Sequence, residues 1–288
     1  MKLGTNDIGS VYLGTNAVQK VYLGTNEVWS AFSGGLLDTY SGATAAYSLR
    51  RLSSSYTGSS IKVRRASDNT EQDIGFSGED LDIATLESFC SGTDGFVKTW
   101  YDQSGNGNNA TQTTAVNQPQ IVSSGSVILD NGKPALGFDG TDFVDLTSIV
   151  TTSTYSSFAL IRKNSSGSII IPIGLSNGQS VGAWSDGKLY ENNGTSFVGV
   201  SYTNDANQNL FSVIKNGNTL SDFSANQNGS ALGSYTGSAF TSISIDRLGG
   251  RIGTYSNGNI QEIIIYSSDQ SSNRSGIETN INDFYSIY

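Results

Sequence analysis

Hydrophobic and polar residues alternate in short runs along most of the chain beyond residue 120. Alternation with a period of two is typical of β-strands that bury one face. Glycine and asparagine turns such as Lys215–Asn218 and Ser256–Asn259 separate the runs. The pattern predicts strands over Ser126–Leu129, Ala135–Phe138, Ser157–Arg162, Ser168–Ile173, Phe197–Tyr202, Leu210–Lys215, Ser242–Leu248 and Ile260–Tyr266. Strands at this spacing predict an all-β fold, a two-sheet sandwich or jelly roll.

The rest of the chain after about residue 36 is mixed. The spacing of apolar residues predicts helices over Ala45–Leu52, Glu79–Cys90 and Ser272–Tyr285, and strands over Ser60–Arg65 and Phe96–Tyr101. The last helix carries its apolar side chains on one face, so we expect it to pack back on the sandwich.

The first thirty residues contain a repeat, Leu-Gly-Thr-Asn, at residues 3–6, 13–16 and 23–26. Each unit predicts a short strand followed by a tight turn, and a sheet this small is marginal in water unless it docks on something else. We therefore predict two parts: residues 1–34 as a β-repeat that anchors or oligomerises the chain, and residues 35–288 as the sandwich. The alternative is that the repeat extends the sheet of the sandwich. The apolar repeat positions expected to make the contacts are Leu3, Val11, Leu13, Val21 and Leu23.

Composition narrows the possible partners. The chain has 288 residues, with 16 basic and 25 acidic side chains and a net charge of −9. Such a charge argues against nucleic acid or an anionic membrane as the main partner. The N-terminus is polar and no long apolar run is present, so we expect neither a membrane span nor a signal peptide.

The absence of histidine excludes Ser-His-Asp triads and His-ligated metal sites. The single cysteine, Cys90, cannot form a disulfide within the chain, and its apolar surroundings in sequence predict a buried structural thiol.

Without histidine, hydrolysis would need a pair of carboxylates, one to protonate the leaving oxygen and one to attack or to activate water. Nothing in the spacing singles out a pair among the candidates, which are Asp139, Asp142, Asp145, Asp246 and Glu262.

Asp102, Ser104 and Asn106 imitate the opening of a calcium loop, but Thr113 stands where an EF-hand needs its bidentate carboxylate. An irregular calcium site stays open as an alternative. We favour a structural role in which Asp102 accepts hydrogen bonds from the backbone of the turn, and we predict no metal and no cofactor.

Aromatic rings beside amide side chains suit neutral sugars, because a ring stacks on the sugar face while the amides bond its hydroxyls. Core packing is the alternative explanation for any one of the rings. The candidate sugar-binding residues are Trp184, Tyr190, Asn192, Asn193, Tyr255 and Asn257.

Four segments together resemble the opening of the arabinofuranosidase B catalytic domain: Ala46–Leu52, Val63–Asn69, Phe89–Cys90 and Trp100–Asn108. The resemblance runs from about Leu36 to the C-terminus and is strong up to about residue 112. It implies a concanavalin A-like β-sandwich with a few short helices.

The same family places a nucleophilic Glu after a turn that matches residues 173–179, and an acid Asp after a Gly-Gly pair that matches Gly249–Gly250. Here these turns carry Gln179 and Arg251 instead. An amide cannot form a glycosyl intermediate, and an arginine cannot protonate a leaving group at neutral pH. We therefore predict no catalytic residue and no enzymatic activity.

The repeat joined to such a sandwich also resembles structural proteins of tailed bacteriophages. That resemblance implies a virion surface protein of the head, collar or tail fibre, or a decoration protein. We expect it to contact other virion proteins, to form a homo-oligomer such as a trimer, and to attach to a host-surface glycan through a lectin-like sandwich. We expect no nucleic acid and no membrane insertion. The alternative is a glycoside hydrolase of the arabinofuranosidase B type, including a relative with relocated acids.

Overall fold

The computed structural model describes residues 34–238 and 242–288 and, before them, the backbone of short strands between residues 2 and 30. Those early strands are β1 Lys2–Leu3, β2 Asn6–Asp7, β3 Val11–Leu13, β4 Asn16–Val18, β5 Lys20–Leu23 and β6 Asn26–Ser30. The next group is β7 Ala45–Ser48, β8 Ile61–Arg65, β9 Glu71–Ile74, β10 Phe76–Ser77, β11 Asp80–Leu81, β12 Gly95–Trp100, β13 Ala110–Thr111, β14 Gln120–Ser123, β15 Ser126–Val127, β16 Leu129–Asp130, β17 Lys133–Pro134 and β18 Leu136–Asp139. The last group is β19 Val144–Thr152, β20 Thr154–Lys163, β21 Ile170–Gly174, β22 Ser180–Ala183, β23 Lys188–Asn192, β24 Phe197–Ser201, β25 Gln208–Asn216, β26 Phe223–Gln227, β27 Ser230–Ala231, β28 Thr236–Gly237, β29 Ile243–Leu248, β30 Gly250–Arg251, β31 Thr254–Tyr255 and β32 Asn257–Tyr266.

The helices are α1 Leu36–Thr39, α2 Ile83–Phe89 and α3 Arg274–Tyr285, with 3-10 turns at Ala115–Asn117 and Leu220–Asp222. Within the part of the chain that the structure describes, no helix has the length and apolar character needed to cross a bilayer.

Antiparallel strands form two layers. In the first layer the order is β9-β8-β12-β13-β19-β29-β21-β22-β23-β24-β28. In the second, β32 is central, with β20, β25, β26 and β27 on one side and β7 and β18 sharing the other. Strand β14 pairs with both β12 and β18, so hydrogen bonding passes from one layer to the other there. The predicted all-β sandwich with a few short helices is confirmed.

The second layer is buried on both faces. On β20, Ala159 and Ile161 belong to the core between the layers, whereas Phe158 and Leu160 belong to a second core outside it. The helices α1 and α3 close this outer core with Leu36, Leu37, Ile277, Ile281 and Tyr285. The C-terminal helix therefore packs on the sandwich as predicted.

A buried ion pair joins the start of the sandwich to its central strand. Arg50, just after β7, donates from Nε to Glu262 Oε2 at 2.8 Å and from Nη2 to Oε1 at 3.0 Å. The two side chains are only 2% and 1% exposed. The hydroxyls of Ser48 and Tyr285 also donate to Glu262, at 2.7 and 3.3 Å. Three elements, β7, β32 and α3, thus meet at one carboxylate.

The Tyr-Asp-Gln-Ser-Gly-Asn-Gly run at residues 101–107, which follows β12, holds β7 in place through hydrogen bonds. The Asp102 carboxylate accepts hydrogen bonds from the backbone N–H groups of Ala46, Ser104 and Asn108, at 2.9 to 3.0 Å. Gln103 donates to two carbonyl oxygens near β7 and accepts from the Leu52 N–H. These contacts support the turn-holding role for Asp102.

The other two residues of the possible calcium loop, Ser104 and Asn106, hydrogen-bond to the same turn and to the backbone around residue 44. Among the described residues, no three His, Cys, Asp or Glu side chains cluster as metal ligands would.

The helix predicted over Ala45–Leu52 is wrong, because residues 45–48 form strand β7. All four residues of this strand are buried, since both faces of its layer are covered, so the strand shows no alternation of polar and apolar residues. A continuous apolar run cannot distinguish a buried strand from a helix.

The second predicted helix is shorter than expected and spans Ile83–Phe89. It begins at Asp82, whose carboxylate accepts from the Thr85 N–H at 3.0 Å. Cys90, which follows this helix, is buried as predicted.

The repeat forms three two-stranded hairpins, β1–β2, β3–β4 and β5–β6. In each, the Leu and Asn of Leu-Gly-Thr-Asn lie opposite each other across the Gly-Thr pair. The side chains of the predicted contact residues Leu3, Val11, Leu13, Val21 and Leu23 lie outside the described part of the structure. Oligomerisation through them, and the division of the chain at residue 34, stay predictions.

We expect Arg50→Met to lower the free energy of unfolding by about 3–5 kcal/mol, because it leaves the Glu262 charge buried without its cation. Urea unfolding measures this loss. The control is Lys98→Met, which removes an exposed pair with Glu71 and should cost no more than about 1 kcal/mol. A change within the control's range for Arg50→Met would show that the buried pair does not constrain the fold.

If residues 1–34 assemble the chain, light scattering should give an oligomeric mass for the full chain and a folded monomer for residues 35–288. Equal monomeric masses for both would refute self-assembly through the repeat.

Candidate functional site

A cavity of about 630 Å³ opens on the face of the sheet where β14 bridges the layers. Its lining includes a row of neighbours across five strands: Arg64, Phe96, Gln120, Gly137 and Asn259. The strand register places each beside the next, on β8, β12, β14, β18 and β32 in turn. The cavity is therefore built by strand pairing between segments that are far apart in sequence.

Asp139 and Asp142 line the same cavity at the end of β18. Asp142 is only 5% exposed, and its Oδ2 accepts the Asp139 N–H at 2.9 Å. Asp139 is exposed, and its Oδ1 accepts from the N–H and the hydroxyl of Thr141, at 2.8 and 2.7 Å. The structure thus brings together two of the five carboxylates considered from sequence.

Burial raises the pKa of Asp142 to about 7. The hydrogen bond from the Asp139 backbone opposes this increase, while the charge of the Asp139 carboxylate and a side-chain hydrogen bond with it reinforce it. A carboxyl group with a pKa near neutrality can hold a proton and release it, as a general acid requires. Beside a second, exposed carboxylate it forms an acid pair inside a cavity.

The other three candidate carboxylates are not among the cavity's lining residues. Asp145 forms an ion pair with Arg247, with an Nε–Oδ1 distance of 2.6 Å. Asp246 accepts from the N–H and hydroxyl of Ser176, both at 2.7 Å. Glu262 belongs to the buried pair described above. Each of these contacts gives the carboxylate a structural role.

The candidate sugar-binding residues divide into two groups. Trp184 and Tyr190 pack edge to face, with ring centroids 6.1 Å apart. Asn192 and Asn193 use their side-chain oxygens to accept backbone N–H groups of the β23–β24 turn. The oxygens of both amides thus hold the turn, and sugar binding by these amides and the two rings stays a prediction.

Tyr255 and Asn257 lie elsewhere, close to the cavity. Tyr255 stacks on Phe143, the residue after Asp142, with centroids 5.5 Å apart and planes at 21°. Asn257 pairs with Asp139 across β32 and β18 and accepts from the Asn164 amide. These two residues therefore border the acid pair.

The two turns that lack the family's carboxylates lie side by side. Arg251 Nη1 donates to the Gly178 carbonyl oxygen at 3.1 Å, and its guanidinium lies 5.1 Å from the Trp184 ring centroid. Gln179 Oε1 accepts the Ser244 N–H at 2.6 Å. Arg251 and Gln179 thus hold neighbouring backbone through hydrogen bonds. Neither residue lines the cavity that contains Asp139 and Asp142.

The sequence did not suggest Phe96, Gln120, Gly137 or Asn259, because each is an ordinary member of a separate strand. One signal was available: a glycine inside the predicted strand Ala135–Phe138, since a glycine within a strand often marks a close approach of another group.

Residues 38–135 match the family of the α-L-arabinofuranosidase B catalytic domain. A probable α-L-arabinofuranosidase B of Aspergillus flavus is 39% identical over 124 residues, 38% of this chain and 24% of that protein. The α-L-arabinofuranosidase B of Aspergillus oryzae is 38% identical over the same shares. The matched region is thus about a quarter of the length of these curated relatives.

Two solved structures share the fold. A mutant GH54 α-L-arabinofuranosidase soaked with 4-nitrophenyl α-L-arabinofuranoside superposes with a TM-score of 0.58 and 17% identity, over 85% of this chain and 63% of that chain. An arabinofuranosidase complexed with arabinofuranosyl-α-1,2-xylobiose gives 0.54 and 18%, over 85% and 64%. At this identity the likeness establishes the β-sandwich alone.

These matches correct the functional predictions. The bacteriophage virion function, whether as head, collar, tail fibre or decoration protein for host attachment, is wrong, because the matches described are to arabinofuranosidases. The virion location is wrong for the same reason, since the sequence relatives are fungal arabinofuranosidases. The prediction of no enzymatic activity is wrong as well, because the matched family is a catalytic domain. That prediction considered only the two turns that carry Gln179 and Arg251 in place of carboxylates. Asp139 and Asp142 lie in a cavity away from those turns.

We expect Asp142→Asn to alter how stability depends on pH. Below the ordinary Asp pKa of 3.8 both states are protonated, and between that value and about 7 only the folded state keeps the proton. Stability therefore falls as pH rises through this window and levels off above it. Urea unfolding from pH 4 to 8 should show a smaller fall for Asp142→Asn. Burial also raises the pKa of Glu191 to about 7, but Glu191 is present in both proteins and contributes equally to both. If the free energy of unfolding changes with pH identically in the two proteins, the pKa of Asp142 is not raised.

Proposed function

We propose that the chain is a glycoside hydrolase that acts on α-L-arabinofuranosides, with Asp142 as general acid and Asp139 as the second carboxylate. The observation that carries the proposal is the pair itself: a nearly buried carboxyl group with a pKa of about 7 beside an exposed carboxylate in one cavity. The match of residues 38–135 to an arabinofuranosidase catalytic domain supports the substrate class.

In the proposed reaction, Asp142 donates its proton to the glycosidic oxygen as the bond to the anomeric carbon breaks. Asp139 attacks that carbon and forms a glycosyl ester. Water then attacks the anomeric carbon, Asp142 takes a proton from that water, and the bond from the anomeric carbon to Asp139 breaks, which releases Asp139 as a carboxylate. Thr141 holds Asp139 through Oδ1, so we assign Oδ2 to the attack.

Double displacement needs the two carboxyl groups closer together than inversion does, at about 5–5.5 Å rather than 6.5–9.5 Å. Asp139 and Asp142 belong to one turn, in which the Asp139 N–H donates to Asp142 Oδ2 at 2.9 Å. We therefore propose that the anomeric configuration is retained, which proton NMR of the first sugar released would establish. An inverted product would overturn the assignment of Asp139 as nucleophile.

The direct test is hydrolysis of 4-nitrophenyl α-L-arabinofuranoside and of arabinofuranosyl-α-1,2-xylobiose. We expect Asp139→Asn to abolish activity on both. Asp142→Asn should lower activity on the xylobioside by about 10²–10⁴-fold and on the nitrophenyl glycoside less, because nitrophenolate leaves without protonation.

The matched control is Asp246→Asn, which changes a carboxylate outside the cavity and should keep wild-type activity.

The pH dependence gives a second test. On the xylobioside, wild-type activity should fall as pH rises above about 7, because Asp142 then loses its proton. If Asp139→Asn and Asp142→Asn hydrolyse both substrates like the wild type, the proposed site is wrong.

A further inference from the structure

We propose that the row of side chains across β8, β12, β14, β18 and β32 is a binding groove for the neutral sugar chain that carries the cleaved arabinofuranosyl group. This inference rests on the proposed function and adds the part of the substrate beyond the scissile bond. Glycine 137, at the middle of the row, forms the floor of the groove.

The floor is open because Gly137 has no side chain. Its neighbours on β18, Leu136 and Phe138, are buried in the core, so Gly137 faces the opposite side, where the cavity lies. A Cβ there would lie 3.6 Å from Ile128 Cδ1 and 3.8 Å from Asn259 Oδ1, both ordinary contacts. A methyl group therefore fits, and a longer side chain would extend into the groove.

One wall offers apolar surface. Phe96 is partly exposed, and Val116 on the rim is 80% exposed. Arg64 lies over the Phe96 ring at 5.0 Å and donates to Gln118 Oε1 at 2.7 Å and Asn69 Oδ1 at 2.9 Å. The wall is thus fixed before a ligand arrives, and an apolar patch of this kind packs against the C–H face of a sugar.

The rest of the groove offers amides. Gln120, Asn164 and Asn259 line it beside the acid pair. An amide both donates and accepts, as a sugar hydroxyl does. Asn259 is held by a hydrogen bond to Asp130 and Gln120 by one to the Val122 carbonyl oxygen, at 3.4 and 3.0 Å. Amides held in this way keep their geometry when a ligand binds.

The charges favour a neutral ligand. Arg64 is the one cation among the cavity's lining residues, and Asp139 and Asp142 supply its two carboxyl groups. An anionic chain would meet the Asp139 carboxylate, and a cationic one would meet the Arg64 guanidinium. The volume of about 630 Å³ lies within the roughly 300–1,000 Å³ of sites that enclose a drug-sized ligand, which is more room than one pentose needs.

The test measures binding apart from turnover, by calorimetry with arabinofuranosyl-α-1,2-xylobiose in the Asp142→Asn background. We expect Gly137→Leu to raise the dissociation constant at least about tenfold, the effect of losing one good contact, and Val116→Ser to raise it a few-fold. The control is Leu129→Ser, which removes a side chain that is 51% exposed and is not among the cavity's lining residues; it should bind like the parent. Val116→Ser keeps the test valid if Gly137→Leu does not fold.

The outcomes separate the two proposals. Binding that Gly137→Leu weakens, together with an inactive wild type, would support the groove and overturn the hydrolase. Hydrolysis by the wild type, with trisaccharide binding that neither Gly137→Leu nor Val116→Ser changes, would overturn the groove alone. No binding and no hydrolysis would overturn both.

Discussion

The Arg50–Glu262 pair is the interaction on which the rest of the structure depends. Two charges out of water are tolerated only when each is paired and hydrogen-bonded. Glu262 lies on β32, and its partners lie on β7, just after β7 and on α3. The carboxylate therefore fixes how these elements meet. Strand β32 then sets the register of β18, so that Gly137 lies beside Asn259 and Asp139 beside Asn257. The cavity and its acid pair inherit their geometry from that register.

Much of the sandwich could be predicted from the sequence because its strands alternate or are bounded by glycine and asparagine turns. Strand β20 was found this way, and so was β32, although both are longer than predicted. Strand β7 was mistaken for a helix because its layer is covered on both faces, which removes the alternation. The turn at Asp102 was interpreted correctly since a short carboxylate beside glycines and asparagines bonds the local backbone.

The residues that line the cavity were harder to predict from the sequence than the strands. Phe96, Gln120 and Asn259 become neighbours only through strand pairing, and no local pattern shows which strands pair. The aromatic residues chosen from sequence illustrate the same limit: Trp184 and Tyr190 do contact each other, but the amides beside them in the chain hold a turn. Proximity in sequence therefore indicates local hydrogen bonds such as those of Asp102, whereas the composition of the cavity depends on which strands pair.

The error about enzymatic activity has a related cause. Absence of carboxylates at two turns says nothing of carboxylates that the fold buries elsewhere, and burial is what makes Asp142 unusual. Its side chain accepts the Asp139 N–H, which is an ordinary way to hold an Asp-Gly-Thr-Asp turn and by itself lowers a pKa. Burial and the neighbouring Asp139 charge act in the opposite direction and outweigh it. The same contact thus stabilises the turn and keeps the acid in place, so a structural role for Asp142 and a catalytic one are compatible.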